Sequence, residues 1–487
     1  VIGSSVRSVD RSHPRRVLVV GGGLAGLSAA EALINCFGSK VEVTVLESRK
    51  TVGGRAGSFQ DPKTGVTVDY CQHVAMGCCV NFLSFLKRCG LIEDWQCTDA
   101  LYFSHPTRDV QRYRPWRWMP APLHQLPLLS TLKFLNSEQR VEIRKAMFRL
   151  FCRERPSQLK GKTAEHWLRQ NGQSVDTIAN FWQVFGCSAL GDEVENVSIT
   201  ALRQVFQQGF AANRDASNLW IPSRPLSELF GCKLVRYLTD QGVTIHHGAQ
   251  VKRIVVKDSV TCAVTSDGQQ WEADHLIAAV PWHQIEKLTD GIPALNYLNR
   301  LRKIQPSSIT GVHLWFDRPL SQLPHLVMVG SVSQWMFKPP LDLATGQNGE
   351  GSFGNGKHYY QVVISGSQKW NHLGQRSLVQ VVVNELKRIS GASQDAALVH
   401  HRVVTDPRAV FSCDPEIESL RPIATTPLAE LHLAGDWTQT GWPSTMEGAV
   451  ISGRNAVASL ATKEGWVPPS IDNGLLPSRL SRLLIRN

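Results

Sequence analysis

The chain has 487 residues, 42% of them hydrophobic, and a formal net charge of +11. This length exceeds one ordinary domain, so we expect two intertwined or sequential domains. Its 11 cysteines form no Cys-x-x-Cys pair and no cluster at metal spacing with histidine, which argues against a disulfide framework or a metal site and favours a reducing cytosol. No apolar N-terminal stretch resembles a secretory signal. No run of 18 apolar residues outside the glycine-rich segment near residue 20 predicts a membrane span.

The first predicted elements are a short β-branched strand at residues 17–20 and a helix at residues 27–33, joined by Gly21-x-Gly23-x-x-Gly26. The first glycine permits a tight turn, the second lets the backbone approach a pyrophosphate, and the third lets the helix pack on the strand. The helix N-terminus offers free N–H groups to phosphate, and Leu24 and Ala25, just before the predicted helix, are expected to bind the cofactor with the three glycines. The pattern predicts a dinucleotide site, and the alternative is a plain glycine-rich turn.

A second predicted strand, at residues 41–46, ends in Glu47, 21 positions after Gly26. An acid there suits the hydroxyl pair of an unphosphorylated adenosine ribose. The next glycine-rich turn carries Gly54 and Arg55 and would bring an arginine close to the pyrophosphate. Nicotinamide-dependent domains have no need of such a turn.

Near the other end, an apolar strand leads into Gly435 and Asp436, and a new helix begins after Ser444, Thr445 and Met446. Asp436 can hydrogen-bond a ribityl or pyrophosphate oxygen. The helix can direct its positive end at the edge of a flavin that carries negative charge when reduced. Taken alone, these residues also fit an ordinary turn and an ordinary helix N-cap. Together with the first motif they identify FAD as the cofactor.

Cofactor motifs at both ends of the chain predict a discontinuous Rossmann-type FAD-binding domain of the α/β class, with an inserted α+β substrate domain. We assign residues 16–95, 225–290 and 415–462 to the first domain and residues 96–224 and 291–414 to the second. We expect residues 96–224 to be mostly helical. Residues 346–356 form a polar glycine-rich loop with no assigned role.

These motifs resemble those of the flavin-containing amine oxidase and carotenoid desaturase superfamily. Within it, the chain most resembles the squalene-associated FAD-dependent desaturases, the hydroxysqualene dehydroxylases of hopanoid biosynthesis. The closer match lies in residues 68–73, residues 118–124 and residues 181–190 with 220–222. Asp69, Gln72 and His73 match the family's pattern there, whereas Tyr70 and Cys71 depart from it. Val251 resembles the family position whose backbone contacts adenine.

The resemblance implies reductive removal of the allylic hydroxyl of hydroxysqualene, with hydride supplied by reduced FAD. His73 is the candidate for the acid that protonates the leaving hydroxyl, and the alternative is a structural histidine. The electron donor is not identified by the sequence. Transferring an isoprenoid of ~30 carbons from water is worth roughly 24 kcal/mol at ~0.8 kcal/mol per carbon. Such a substrate must therefore enter from a membrane, which predicts a cytoplasmic protein bound peripherally, as a monotopic enzyme, to the inner face of the cell membrane.

Basic residues concentrate in two segments. Arginines alternate with aromatic residues at positions 108–118, and the tail at residues 463–487 carries leucines at helical spacing against arginines. Neighbouring prolines and leucines fit a lipid boundary better than a nucleic acid. The alternatives are a solvated surface loop and a frayed tail.

Three other functions stay open. A carotenoid or phytoene-type desaturase would share the fold and use the flavin oxidatively. A polar-amine oxidase is disfavoured, because no cysteine lies in the C-terminal flavin segment and no aromatic cage is evident. A membrane-docked isoprenoid carrier would keep FAD for structure only.

Overall fold

The computed structural model describes residues 13–257, 260–339, 358–389 and 391–485. The predicted loop at 346–356 lies outside these residues, as do the last two residues of the tail. Within the described ranges, no helix is both long and apolar enough to cross a bilayer.

A five-stranded parallel sheet forms the first layer, and it draws on widely separated parts of the chain. Its strands, in spatial order, are Thr244–His247, Val41–Glu47, Arg15–Val20, His275–Ala278 and Leu431–Leu433. The central strands are buried almost throughout, as parallel strands covered on both faces must be. A three-stranded antiparallel sheet, Val251–Lys257, Val260–Thr265 and Gln270–Ala273, follows the edge strand.

A seven-stranded mixed sheet forms the second body, and it combines strands from both inserted segments. Its order is Leu398–Phe411, Pro306–Phe316, His358–Ser365, Trp335–Phe337, His325–Met328, Leu101–His105 and Arg108–Tyr113. Leu101–His105 pairs in parallel with His325–Met328, which joins the two segments into one sheet. Two small sheets lie between the bodies: Ser58–Gln60 with Thr67–Asp69, and Ala75–Met76 with Leu219–Pro222 and Trp95–Thr98.

Helices cover these sheets. The longest are Leu24–Phe37, Ser137–Phe148, Gln375–Lys387 and Met446–Glu464. The shorter helices are Val80–Arg88, Pro127–Thr131, Pro156–Leu159, Ala164–Gln170, Val175–Thr177, Gln183–Leu190, Ile199–Phe206, Leu226–Glu228, Val235–Asp240, Trp282–Leu288, Ile417–Leu420 and Arg479–Leu484.

Several predicted elements differ from those observed. The first helix begins at Leu24 rather than residue 27, because Gly23 is its N-cap. The block 96–224 is helical from Pro127 to Phe206 but begins with strands, so it is less helical than predicted. Its basic segment starts as the strand Arg108–Tyr113 rather than as a surface loop.

Candidate cofactor and active site

The first glycine motif forms a turn that only glycine can make. Gly21 has φ +112° and donates its N–H to Leu46 O at 2.8 Å. A Cβ at Gly21 would lie 2.4 Å from Ala279 O, and a Cβ at Gly26 would lie 2.0 Å from Gly21 O. Strand, turn and helix are therefore in direct backbone contact.

Gly23 differs from these two glycines. Its φ is −75°, it caps the helix Leu24–Phe37 without a side chain, and a Cβ there would meet no heavy atom within 4 Å. The first N–H groups of a helix have no partner within the helix, so those of Leu24 and Ala25 point toward this open space. A Cβ-sized clearance beside a helix N-terminus fits the close approach of a pyrophosphate.

The second glycine turn packs on the first. Gly53 donates its N–H to Gly22 O at 2.7 Å, and a Cβ at Gly54 would lie 3.2 Å from Gly23 Cα. Arg55 follows directly after this turn, so its backbone lies beside the first glycine turn, and its predicted contact with a pyrophosphate stays a prediction.

Glu47 ends its strand with a buried carboxylate. Its oxygens accept from Gly22 N at 2.8 Å and from Arg49 N at 2.7 Å. Ala249 donates to Glu47 O at 2.9 Å, which places Val251 two residues from this contact. The residue predicted to bind ribose and the segment predicted to contact adenine therefore lie side by side.

The C-terminal motif reaches the same site through an ion pair. Arg55 Nη2 lies 2.6 Å from Asp436 Oδ1, and Arg55 Nη1 donates to Ser444 Oγ at 3.2 Å. Ser444 Oγ also donates to the second oxygen of Asp436. Burial acts to raise the pKa of Asp436, but the Arg55 guanidinium and the Ser444 hydroxyl outweigh it and hold that pKa below its ordinary value. The carboxylate is therefore ionised at neutral pH.

Gly435 sits in a constrained turn just before Asp436. Its φ is +140°, a Cβ would lie 2.2 Å from the Trp437 Nε1, and its N–H donates to Ser452 Oγ at 2.8 Å. Arg421, which was not predicted from the sequence, also holds this loop: its Nη2 donates to Asp436 O at 3.0 Å. A lone arginine 15 positions upstream carries no local signal for such a contact.

The residues at the start of the last helix have separate roles. Thr445 is the N-cap, and its Oγ1 accepts from Gly448 N at 3.1 Å, while Met446 is the first helical residue. Glu447 caps a different helix, Val80–Arg88, by accepting from Phe82 N at 2.7 Å and from Asn81 Nδ2 at 2.8 Å. The N-cap alternative thus holds for Thr445, whereas Ser444 faces Asp436.

The two cofactor helices pack against each other at small residues. A Cβ at Gly453 would lie 2.3 Å from Ala25 O, and Ser28 Oγ donates to Val450 O at 3.0 Å. This close packing brings the N-terminal part of the helix Leu24–Phe37 against the helix Met446–Glu464.

His73, the candidate catalytic residue, lies between the two bodies, where the strand Ala75–Met76 begins. Its Nδ1 is 2.9 Å from Cys71 O, which can only accept, so Nδ1 carries the proton and Nε2 keeps a lone pair. Desolvation lowers the pKa of His73 below its ordinary value, and the positive charge of Arg55 lowers it further. His73 is therefore neutral at pH 7, and it lies close enough to Arg55 for the guanidinium charge to lower its pKa.

Asp69, the acidic residue of this motif, contacts two neighbouring segments. Its carboxylate accepts from Ser58 Oγ at 2.6 Å and from Leu226 N at 2.8 Å, and burial raises its pKa to about 7. Within the described residues, no group of three or more histidine, cysteine or acidic side chains could hold a metal ion.

This geometry fits FAD. Phosphate, ribose and flavin-side groups come from both chain ends, and direct contacts join them into one site. A parallel sheet with this turn and with an Arg55–Asp436 ion pair whose carboxylate is buried defines the class of FAD-dependent oxidoreductases. The chain belongs to the flavin containing amine oxidoreductase family, because the sequence model of that family matches residues 24–461.

Relatives and solved structures agree with this assignment. The chain is 23% identical over 476 residues to the 15-cis-phytoene desaturase of Glycine max, covering 93% of this chain and 80% of the relative. It is likewise 23% identical to the 15-cis-phytoene desaturase of Synechococcus elongatus, covering 92% and 96%. The cyclohexylamine oxidase of Brevibacterium oxydans superposes with a TM-score of 0.67 at 16% identity, covering 93% and 100%, and this similarity concerns the fold.

Proposed function

We propose that this enzyme is an FAD-dependent desaturase of a long, apolar isoprenoid, of the kind that its phytoene desaturase relatives represent. The observation that carries the proposal is full-length similarity: 23% identity spans 93% of this chain, including both cofactor ends and the inserted segments. This favours the oxidative alternative of the sequence analysis over the reductive removal of a hydroxyl.

The protonation state of His73 supports the oxidative direction. Desaturation takes two hydrogens from adjacent carbons, and bound FAD supplies the acceptor for the hydride while a base takes the proton. The free Nε2 lone pair of a neutral His73 suits proton acceptance. Protonating a leaving hydroxyl would instead need a charged His73, which its lowered pKa disfavours.

Hydroxysqualene dehydroxylation is the second candidate. It is supported by the match of Asp69, Gln72 and His73 to the dehydroxylase pattern. Ser58 and Leu226 both donate to Oδ1 of Asp69, and burial raises the pKa of this carboxyl to about 7. A carboxyl with such a pKa can donate a proton, so both Asp69 and His73 are residues to be tested for this chemistry.

Membrane delivery of the substrate is part of the proposal. An isoprenoid of ~30 carbons or more has a transfer free energy of at least roughly 24 kcal/mol, which exceeds the practical limit of noncovalent affinity. The substrate must therefore pass from lipid to protein without entering water. We accordingly propose a peripheral membrane location and a partner redox carrier that restores the oxidised flavin after each turnover.

Flavin absorbance tests the proposal directly. Oxidised protein is mixed anaerobically with 15-cis-phytoene in lipid vesicles, and photoreduced protein is mixed with hydroxysqualene in parallel. Bleaching of the flavin band by phytoene supports desaturation. Reoxidation by hydroxysqualene alone would establish the second candidate, and no change with either substrate would favour the carrier.

A further inference from the structure

Two segments that are far apart in sequence meet on one part of the surface. The turn at residues 116–126 and the tail helix Arg479–Leu484 are joined by Ser478, whose Oγ donates to Ala121 O at 2.5 Å. The tail also contacts residues 211–213: Ser481 Oγ donates to Ala211 O at 2.7 Å, and Ser478 N donates to Ala212 O at 2.9 Å. These hydrogen bonds hold the tail helix against the rest of the protein, so this helix is not frayed.

Large apolar side chains project into solvent from both segments. Trp118 is 74% exposed, its ring stacks on that of Trp116 at a centroid distance of 5.8 Å, and Leu483 of the tail is 81% exposed. The other exposed apolar residues here are Leu126, Leu484 and, three residues before the tail helix, Leu476. Exposing stacked indoles and leucines to water is unfavourable unless a partner covers them.

Positive charge surrounds these apolar side chains. Arg479 and Arg482 are exposed on the tail helix, and Arg117 and Arg214 are exposed beside the tryptophans. Arg214 Nη1 donates to Arg117 O at 2.8 Å, which fixes the turn to the neighbouring segment. The carboxylates that face this region are Asp99 and Asp215, and both pair with Arg117. Exposed apolar side chains with arginines around them complement the surface of an anionic lipid bilayer.

The same region is connected to the candidate active site. A Cβ at Gly77 would lie 1.9 Å from Asp215 O, and Asp215 pairs with Arg117 at 3.1 Å. Gly77 is four residues after His73, a stretch that spans at most about 14 Å. A surface resting on lipid here would bring His73 close to the bilayer.

We propose that residues 116–126 and the tail at residues 476–485 form one composite surface that docks on an anionic lipid bilayer. Stacked indoles and leucines enter the headgroup boundary while the arginines contact lipid phosphates. The benefit of such a surface rests on the proposed function, since an apolar substrate must come from lipid. The docking itself is an independent property of the folded protein.

Vesicle flotation of the FAD-loaded protein tests the proposal. Vesicles of phosphatidylcholine with phosphatidylglycerol are compared with phosphatidylcholine alone, at low and high salt. We expect binding to the anionic vesicles that weakens with salt. Each cation near the surface is worth ~1 kcal/mol, so R479E/R482E should weaken binding by about 30-fold or more. W116S/W118S and L483S/L484S should each weaken binding by roughly tenfold or more.

Matched controls separate docking from general damage. R376E/R388E makes the same charge change on the helix Gln375–Lys387 and its end, and V175S/V467S removes exposed apolar side chains elsewhere. Both should bind vesicles like the unchanged protein. S478A/S481A removes the two side-chain hydrogen bonds that hold the tail, to Ala121 O and Ala211 O, but keeps every exposed apolar and basic side chain. A composite surface therefore predicts weaker binding for this variant too.

Three outcomes would overturn the proposal. One is no flotation of the unchanged protein, and another is equal losses in the control variants. The third is a loss on charge reversal without any loss on W116S/W118S or L483S/L484S, which would indicate a soluble polyanion. Flavin reduction by substrate in detergent is measured on the same variants. A variant that loses flotation but still reduces its flavin normally in detergent supports the proposed function independently of docking. A protein that floats with vesicles but shows no flavin reduction supports docking and contradicts the proposed function.

Discussion

Gly23 and Gly26 stand in the same turn, but the backbone requires only Gly26 to lack a side chain. A Cβ at Gly26 would collide with Gly21 O, whereas Gly23 has an ordinary φ and open space around it. Gly23→Val should therefore fold normally and lose FAD, because its side chain would occupy the phosphate cradle. FAD content per protein and the unfolding temperature of the apoprotein measure the two effects.

Gly374→Val is the matched control for this prediction. Gly374 is also a helix N-cap, has φ −63° and has no heavy atom within 4 Å of its Cβ position. It should keep both fold and FAD. Normal FAD content in Gly23→Val would show that the pyrophosphate does not lie against this glycine.

The pH dependence of His73 distinguishes a base from an acid. Its pKa is lowered, so a base at this position is active above that pKa, and the rate of flavin reduction should rise with pH and then stay flat through neutrality. An acid at this position would give the reverse profile, with the rate falling as pH rises. His73→Gln should slow the step by ~10²–10⁴ and remove this titration while leaving FAD content unchanged. An unimpaired variant would exclude His73 from catalysis.

At the scale of elements, the cofactor site depends on how closely two helices pack. Gly453→Val would place side-chain atoms against Ala25 O and Ala29 N, which are backbone atoms 2.3 and 2.8 Å from its Cβ position. Overpacking a tight contact costs about 1–3 kcal/mol or more. We expect a lower unfolding temperature and weaker FAD binding, measured by thermal unfolding and FAD titration.

Gly231→Val provides the reference for the intrinsic cost of valine in a helix, because Gly231 lies in the π-helical segment Leu229–Leu234. Its nearest neighbour would be the Ser227 Cβ at 3.9 Å. If both variants lost equal stability, the contact between the helices Leu24–Phe37 and Met446–Glu464 would not limit the site.

The strands of the parallel sheet could be predicted because β-branched residues and glycine turns mark them locally. The predicted strands at 17–20 and 41–46 match Arg15–Val20 and Val41–Glu47 closely. The apolar sequence of residues 273–281 also predicts one strand, but only His275–Ala278 joins the sheet. Pro281 caps the helix Trp282–Leu288, and Asp274 turns aside to accept from Arg16 N. A contact between residues so far apart in the chain, such as Arg16 and Asp274, has no signature in the local sequence.

At the scale of the whole molecule, the cofactor site joins the two ends of the chain. Arg55 and Asp436 are 381 positions apart and share one ion pair. The motifs at each end were readable because their glycines and acids have local meanings. The contacts of Arg421 with Asp436 and of Glu447 with Phe82 could not be predicted from the sequence. The local sequence around a buried arginine or acid does not indicate which residue will be its partner.

FAD should therefore act as a link between distant segments. A ligand that binds only the folded state adds roughly 4 kcal/mol of stability at 1,000 times its dissociation constant. Removing FAD should lower the unfolding temperature, and adding it back should restore it, as followed by circular dichroism. An apoprotein as stable as the loaded protein would mean that the two ends are held together without the cofactor.

The mass of the product after one anaerobic turnover tests the central claim most directly. Oxidised protein is given 15-cis-phytoene in anionic vesicles, and extracted lipids are analysed by mass spectrometry. We predict a product lighter by two hydrogen atoms, formed in proportion to the flavin that is reduced. Unchanged phytoene, together with conversion of hydroxysqualene to squalene by the reduced protein, would contradict the account.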